Sequence, residues 1–193
     1  MTDAAPTQQR LSRAELAVWR DFLRAHAAVT KALEADLVAE RDLPLTWYDV
    51  LVQLVEVPGW RLRMSELADR TLLSRSGLTR LIDKMVSAGL VERQPCYDDA
   101  RGSFAVLTNA GYTRLRGAAA IHLQGVAEHM MRHVEPEELP VFGAVMRRIA
   151  DAHHVAPGPY ADGPDNPSPP GHDTSSPPRH DNGSDPSLTT PSG

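Results

Sequence analysis

The chain has 193 residues, 41% of them hydrophobic and 23% charged, with a formal net charge of −5 and a single cysteine. One cysteine excludes an intrachain disulfide framework, no apolar run is long enough to span a bilayer, and no basic-then-apolar leader opens the chain; the expected setting is a reducing cytoplasm, with no membrane partner. Residues 156–193 hold ten of the 16 prolines, five glycines, five Asp and one Arg, so 1–155 is left at a formal −1. Such a tail cannot bury enough apolar surface to offset its chain entropy and is expected to be disordered, as are residues 1–11. The overall acidity therefore does not argue against a nucleic-acid partner, but any basic footprint has to be local.

Ser12 and Glu15 have capping-box spacing and should open a helix. Leu16, Trp19, Leu23, His26, Thr30, Leu33 and Leu37 follow a 3-4-3-4 rhythm, a heptad seam ending near Glu40. So long an apolar stripe suits packing on a partner chain as well as on its own core. Thr46, with Asp49 three residues later, is expected to cap a second helix that buries Val50, Leu51, Leu54 and Val55; Pro58-Gly59 stops it. Arg61-Leu62-Arg63 reads as a short strand. Ser65 is placed as the cap of a brief helix over 66–70, with Leu67 and Ala68 inward.

Residues 74–89 form the most informative stretch. Leu78, Leu81, Ile82 and Met85 recur at helical spacing, while Arg75, Ser76, Thr79, Arg80 and Asp83 fall on the other side. Ser74 is a good N-cap and Gly89 a good C′ residue. Taken alone this could be a solvated amphipathic helix. Following a short helix and a tight turn, it makes a helix-turn-helix whose second member carries hydrogen-bond donors suited to base edges and phosphates.

Residues 90–95 and 103–107 read as two strands, with Cys96-Tyr-Asp-Asp-Ala-Arg-Gly102 as the tip of a hairpin. An Arg there can reach a minor groove; the plainer reading is a surface hairpin with an internal Asp–Arg pair. Thr108 opens a long helix expected to run to His133. Pro136 is placed at the start of a last helix carrying Leu139, Phe142, Val145, Met146 and Ile149, in which Pro140 should cost one early backbone bond. No phosphate loop, dinucleotide-binding Gly-rich turn, acidic metal cluster or Ser-His-Asp arrangement argues for an enzyme.

The order helix, helix, short helix, donor helix, two-stranded wing, long helix, helix resembles the MarR family of winged helix-turn-helix transcription regulators. The likeness is carried by Met64-Ser-Glu-Leu-Ala68, by residues 74–83, by Gly89-Leu-Val-Glu-Arg93, by Asp99-Ala-Arg-Gly102 and by Leu107-Thr-Asn-Ala-Gly111. It covers about residues 12–154. It implies a mainly α fold with a small β wing. A winged lobe, about 46–107, would sit on a dimerisation platform made by helices in 12–40 and 108–155, giving one domain over 12–155. It further implies a cytoplasmic homodimer on a pseudo-palindromic operator, more often a repressor, with no required cofactor and no enzymatic activity. Small acidic or phenolic effectors, thiol oxidation or metal typically release the DNA in the family.

Under that resemblance Arg75, Thr79 and Arg80 face bases or phosphates, Ser74 and Ser76 bind phosphate, and Lys84 and Arg93 are further phosphate candidates. Arg101 enters the minor groove and Asp99 steadies it. A ligand pocket is expected where the first, second and fifth helices meet the lobe, near Trp19, His26, Trp47 and Asp49. Trp19, Asp49 and Arg80 also resemble the Trp-Asp-Arg set of a urate-binding branch; core packing and helix capping are the plainer readings. His129 and His133, spaced i, i+4, are weak metal candidates with His26 or His122 as partners. Cys96 is a candidate redox thiol. The rival readings are a winged module for protein–protein contact and a metal-sensing regulator.

Overall fold

The structure, a computed structural model, describes residues 10–71, 73–96 and 102–153. Asp99, Arg101 and the expected tail over 156–193 lie outside the described residues. Six α-helices and three strands follow one another as α1 (Arg13–Arg41), α2 (Leu45–Val55), β1 (Arg61–Arg63), α3 (Met64–Thr71), α4 (Arg75–Ser87), β2 (Val91–Pro95), β3 (Ser103–Leu107), α5 (Asn109–His129) and α6 (Leu139–Ala152).

The capping box at Ser12 forms as expected, with Ser12 Oγ accepting from Glu15 N and the Glu15 carboxylate accepting from Ser12 N. Only the C-terminal half of α1 packs inside its own chain, where Leu33 and Leu37 are buried against the rest of the fold. Farther forward the same stripe is bare, with Leu16, Trp19 and Leu23 exposed, as is Phe22 beside them.

Three helix starts differ from expectation. Thr46 does not cap α2: Pro44 is the N-cap residue, and the first amide, Leu45 N, donates to the Glu34 carboxylate of α1. Ser65 does not cap α3, which begins at Met64 directly off β1, with the Glu66 carboxylate accepting from Arg63 N at 3.3 Å. The last helix starts at Leu139 and not at Pro136. Glu135 N donates to the Glu138 carboxylate and Glu138 N to the Glu135 carbonyl, closing a turn ahead of the helix. Pro140 then occupies the first turn, where its missing N–H would be unpaired anyway, so the expected lost bond is not lost. The long helix also stops early: Met130 leaves helical geometry, and Met131–His133 form a separate 3-10 turn.

The sheet is antiparallel in the order β1-β3-β2, with Leu62 opposite Ala105 and Arg93 opposite that same residue on the other side. The core lies between this sheet and α2 to α5. Leu78, Ile82 and Met85 of α4 are fully buried in it. Each such burial is worth about 1.5–3 kcal/mol, enough to fix which face of α4 looks outward. The lobe joins α5 through Trp60, which stacks on Tyr112 with ring centres 4.7 Å apart. α6 buries no residue fully and makes only sparse contact with the other described elements.

Candidate nucleic-acid interface

Both ends of α4 are fixed by local chemistry. Ser74 Oγ accepts from Gly77 N at 3.1 Å. At the other end Gly89, at φ +73°, sets a left-handed turn in which Gly89 N donates to the Val86 carbonyl and Leu90 N to the Met85 carbonyl. That 5→2 and 6→1 pair is a Schellman motif, and glycine adopts its conformation without a Cβ penalty. Between these ends Arg75, Ser76, Thr79, Arg80, Asp83 and Lys84 are all exposed. Val86, 37% exposed, is the only large hydrophobic residue on the open side of α4. This surface suits a polyanion better than an apolar protein partner.

Beside this face lies a cleft of about 510 Å³, lined in part by Arg63, Ser65, Arg75, Thr79, Arg93 and Ser103. Its walls are the end of β1, the start of α3, the front of α4 and the root of the hairpin. Arg93 Nη2 meets Asp83 Oδ1 at 2.9 Å and donates to the Thr79 carbonyl at 3.2 Å. This expected phosphate candidate thus ties the hairpin to α4 through Nη2. Thr79 Oγ1 donates to the Arg75 carbonyl at 2.9 Å, and the residue stays exposed. Arg63, Ser65 and Ser103 were not among the expected site residues. The available signal was the Arg-Leu-Arg alternation of β1, which puts both arginines on one side of a strand.

A MarR family sequence model matches residues 41–102. The chain is 36% identical to AbsC, a MarR family transcriptional regulator from Streptomyces coelicolor, with a TM-score of 0.68, covering 76% of this chain and 99% of that one. The chain belongs to the MarR family. Sco3205, a MarR family transcriptional regulator from the same organism solved in complex with DNA, is 33% identical, with a TM-score of 0.70 and coverage of 77% and 92%. A MarR family regulator from Silicibacter pomeroyi is 26% identical, with a TM-score of 0.60 and coverage of 72% and 96%. The comparison with curated proteins found no match. MarR family members are transcriptional regulators and not enzymes. In this MarR regulator no helix among the described residues is long and apolar enough to cross a membrane.

The expected ligand set does not converge within one chain. Trp19 is 52% exposed and stacks on Phe22 at 5.8 Å, with His26 next along the same surface. Trp47 packs against the lobe core. Asp49 lies where Glu34 bears on it, and Glu34 is fifteen residues from Trp19, about 22 Å along α1. Although Asp49 is exposed at its surface, crowding of its carboxylate by surrounding protein and then the Glu34 charge push its pKa up to about 6.

The two weak metal candidates lie on different elements. His133 sits on the 3-10 turn and not on the helix of His129. His129 Nε2 meets Asp36 Oδ2 of α1 at 2.7 Å instead. His122 is buried and stacks on Tyr48 at 4.4 Å, and burial lowers its pKa. No group of three potential ligands gathers among the described residues. Cys96 is buried at the end of β2, which shields its thiol.

Proposed function

We propose that this MarR regulator binds duplex DNA as a homodimer and acts as a repressor by occupying an operator. α4 enters the major groove and the hairpin after β2 enters the adjacent minor groove. The observation that carries the reading is the outward face of α4: exposed Arg75, Ser76, Thr79, Arg80 and Lys84, held in place by a fully buried opposite face. Ser74 and Ser76 are assigned to phosphate near the helix N-terminus. Arg101 is assigned to the minor groove, steadied by Asp99. The DNA-bound form of Sco3205 supports the partner class.

The bare front of α1 and the sparsely packed α6 support pairing of two chains, which would set two copies of α4 about 34 Å apart to read two half-sites. Small acids or phenols are the proposed effector class, with no cofactor required. A gel-shift titration on the intergenic DNA next to the coding sequence, repeated across salt, tests the reading. Specific binding that falls steeply with salt is expected, because phosphate contacts release counterions. A salt-independent affinity, or no binding by a verified dimer, would refute it.

A further inference from the structure

A duplex gripped by α4 in one groove and the hairpin in the next must run its intervening sugar-phosphate strand between those two elements. The cleft beside α4 lies in that gap. Arg63 lines it from β1 and Arg75 from α4. Of the three cleft guanidiniums, Arg93 is paired with Asp83, whereas Arg63 and Arg75 have no ion pair among the described residues. The Glu66 carboxylate is close by but turns to the Arg63 backbone amide.

Arg63 is also held. Phe104 lies directly opposite it on β3, with the guanidinium carbon 5.3 Å from the ring centre; Arg61 approaches the same ring at 5.1 Å. A guanidinium drawn to an aromatic face gives up less side-chain freedom when it binds an anion.

We propose that Arg63, assisted by Ser65, is a backbone-phosphate contact of the bound duplex, gripping from β1 a strand that Arg75 meets from α4. Arg93 is then a positioning residue rather than a contact. This assignment rests on the DNA-binding reading above.

The test is fluorescence anisotropy of the full-length protein on operator and scrambled duplexes between 50 and 200 mM salt. Arg63→Gln is expected to weaken binding about 5- to 20-fold on both sequences alike and to reduce the slope of log affinity against log salt by about one. Arg63→Lys restores the slope, and Phe104→Leu weakens binding less and leaves the slope unchanged. Thermal melts of each variant exclude misfolding. An unchanged slope in Arg63→Gln, or a loss confined to the operator, overturns the assignment. Wild-type protein that binds no duplex removes the DNA reading itself. A second arm replaces chloride by inorganic phosphate at equal ionic strength. Wild-type affinity within twofold is expected, whereas strong competition that Arg63→Gln abolishes makes free phosphate the occupant and overturns the backbone assignment.

Discussion

Replacing Gly111 by alanine would place a methyl carbon 2.1 Å from the Leu90 carbonyl oxygen and 2.7 Å from Leu107 Cδ1. Relief needs a movement of about 1 Å, since carbon and oxygen do not pack closer than ordinary van der Waals contact. The Leu90 carbonyl cannot yield freely: it accepts from Thr108 N at 3.2 Å and from Thr108 Oγ1 at 3.0 Å. Overpacking costs about 1–3 kcal/mol, and disturbing those hydrogen bonds adds about 1 kcal/mol. Against this stands a gain in helix propensity of at most about 1 kcal/mol, smaller in a first turn. The net expectation is a loss of about 2–3 kcal/mol, or a Tm lower by about 4–12 °C in a chain of this size. Gly117 provides the internal control. It lies on the same helix, exposed, with nothing within 4 Å of the added carbon. Gly117→Ala should gain up to about 1 kcal/mol and raise Tm by about 2–4 °C. Thermal and urea melts at one protein concentration measure both. Shifts of the same sign, or a neutral Gly111→Ala, would refute the close approach of α5 to the end of α4.

Two further predictions address the platform and the acid-sensitive carboxylate. Trp19→Glu, made in the bare stripe of α1, should weaken dimerisation about 30-fold or more by sedimentation, as loss of a central aromatic anchor does, while the lobe still melts cooperatively; a dimer as tight as wild type would show that this stripe is not the interface. Asp49→Asn should stabilise the protein at pH 8. The folded pKa, pushed up to about 6, lies above the ordinary aspartate value, so the ionised carboxylate is a burden above pH 6 that is relieved as pH falls through the folded value. The two melting curves should converge by about pH 4, and a difference independent of pH would exclude this origin.

Much of the lobe was legible because its marks are local. The Ser74 cap, the Gly89 turn and the spacing of Leu78, Ile82 and Met85 each specify α4 within a few residues of themselves. Proline was less informative, since it fits several positions in a turn or first helical turn; a Glu135–Glu138 closure moved the start of α6 past Pro136. Long-range choices were not legible at all. Asp36, 93 residues from His129 in the chain, takes that imidazole, and Asp83 takes the Arg93 guanidinium. The sequence shows each of these side chains only beside its chain neighbours, whereas the partner that each one meets arrives through tertiary packing. Arg63 was missed for the converse reason: its own segment is short, and only the pairing of β1 with β3 brings it to the front of α4.

A helix of 14 residues with no fully buried side chain has little to hold it in water, where isolated helices shorter than about 12–15 residues are marginal. On the homodimer proposed above, α6 is expected to gain its covering surface from the second chain. Its helicity becomes a gauge of association: diluting the protein should bleach far-ultraviolet ellipticity from this last segment before the winged lobe loses any of its own.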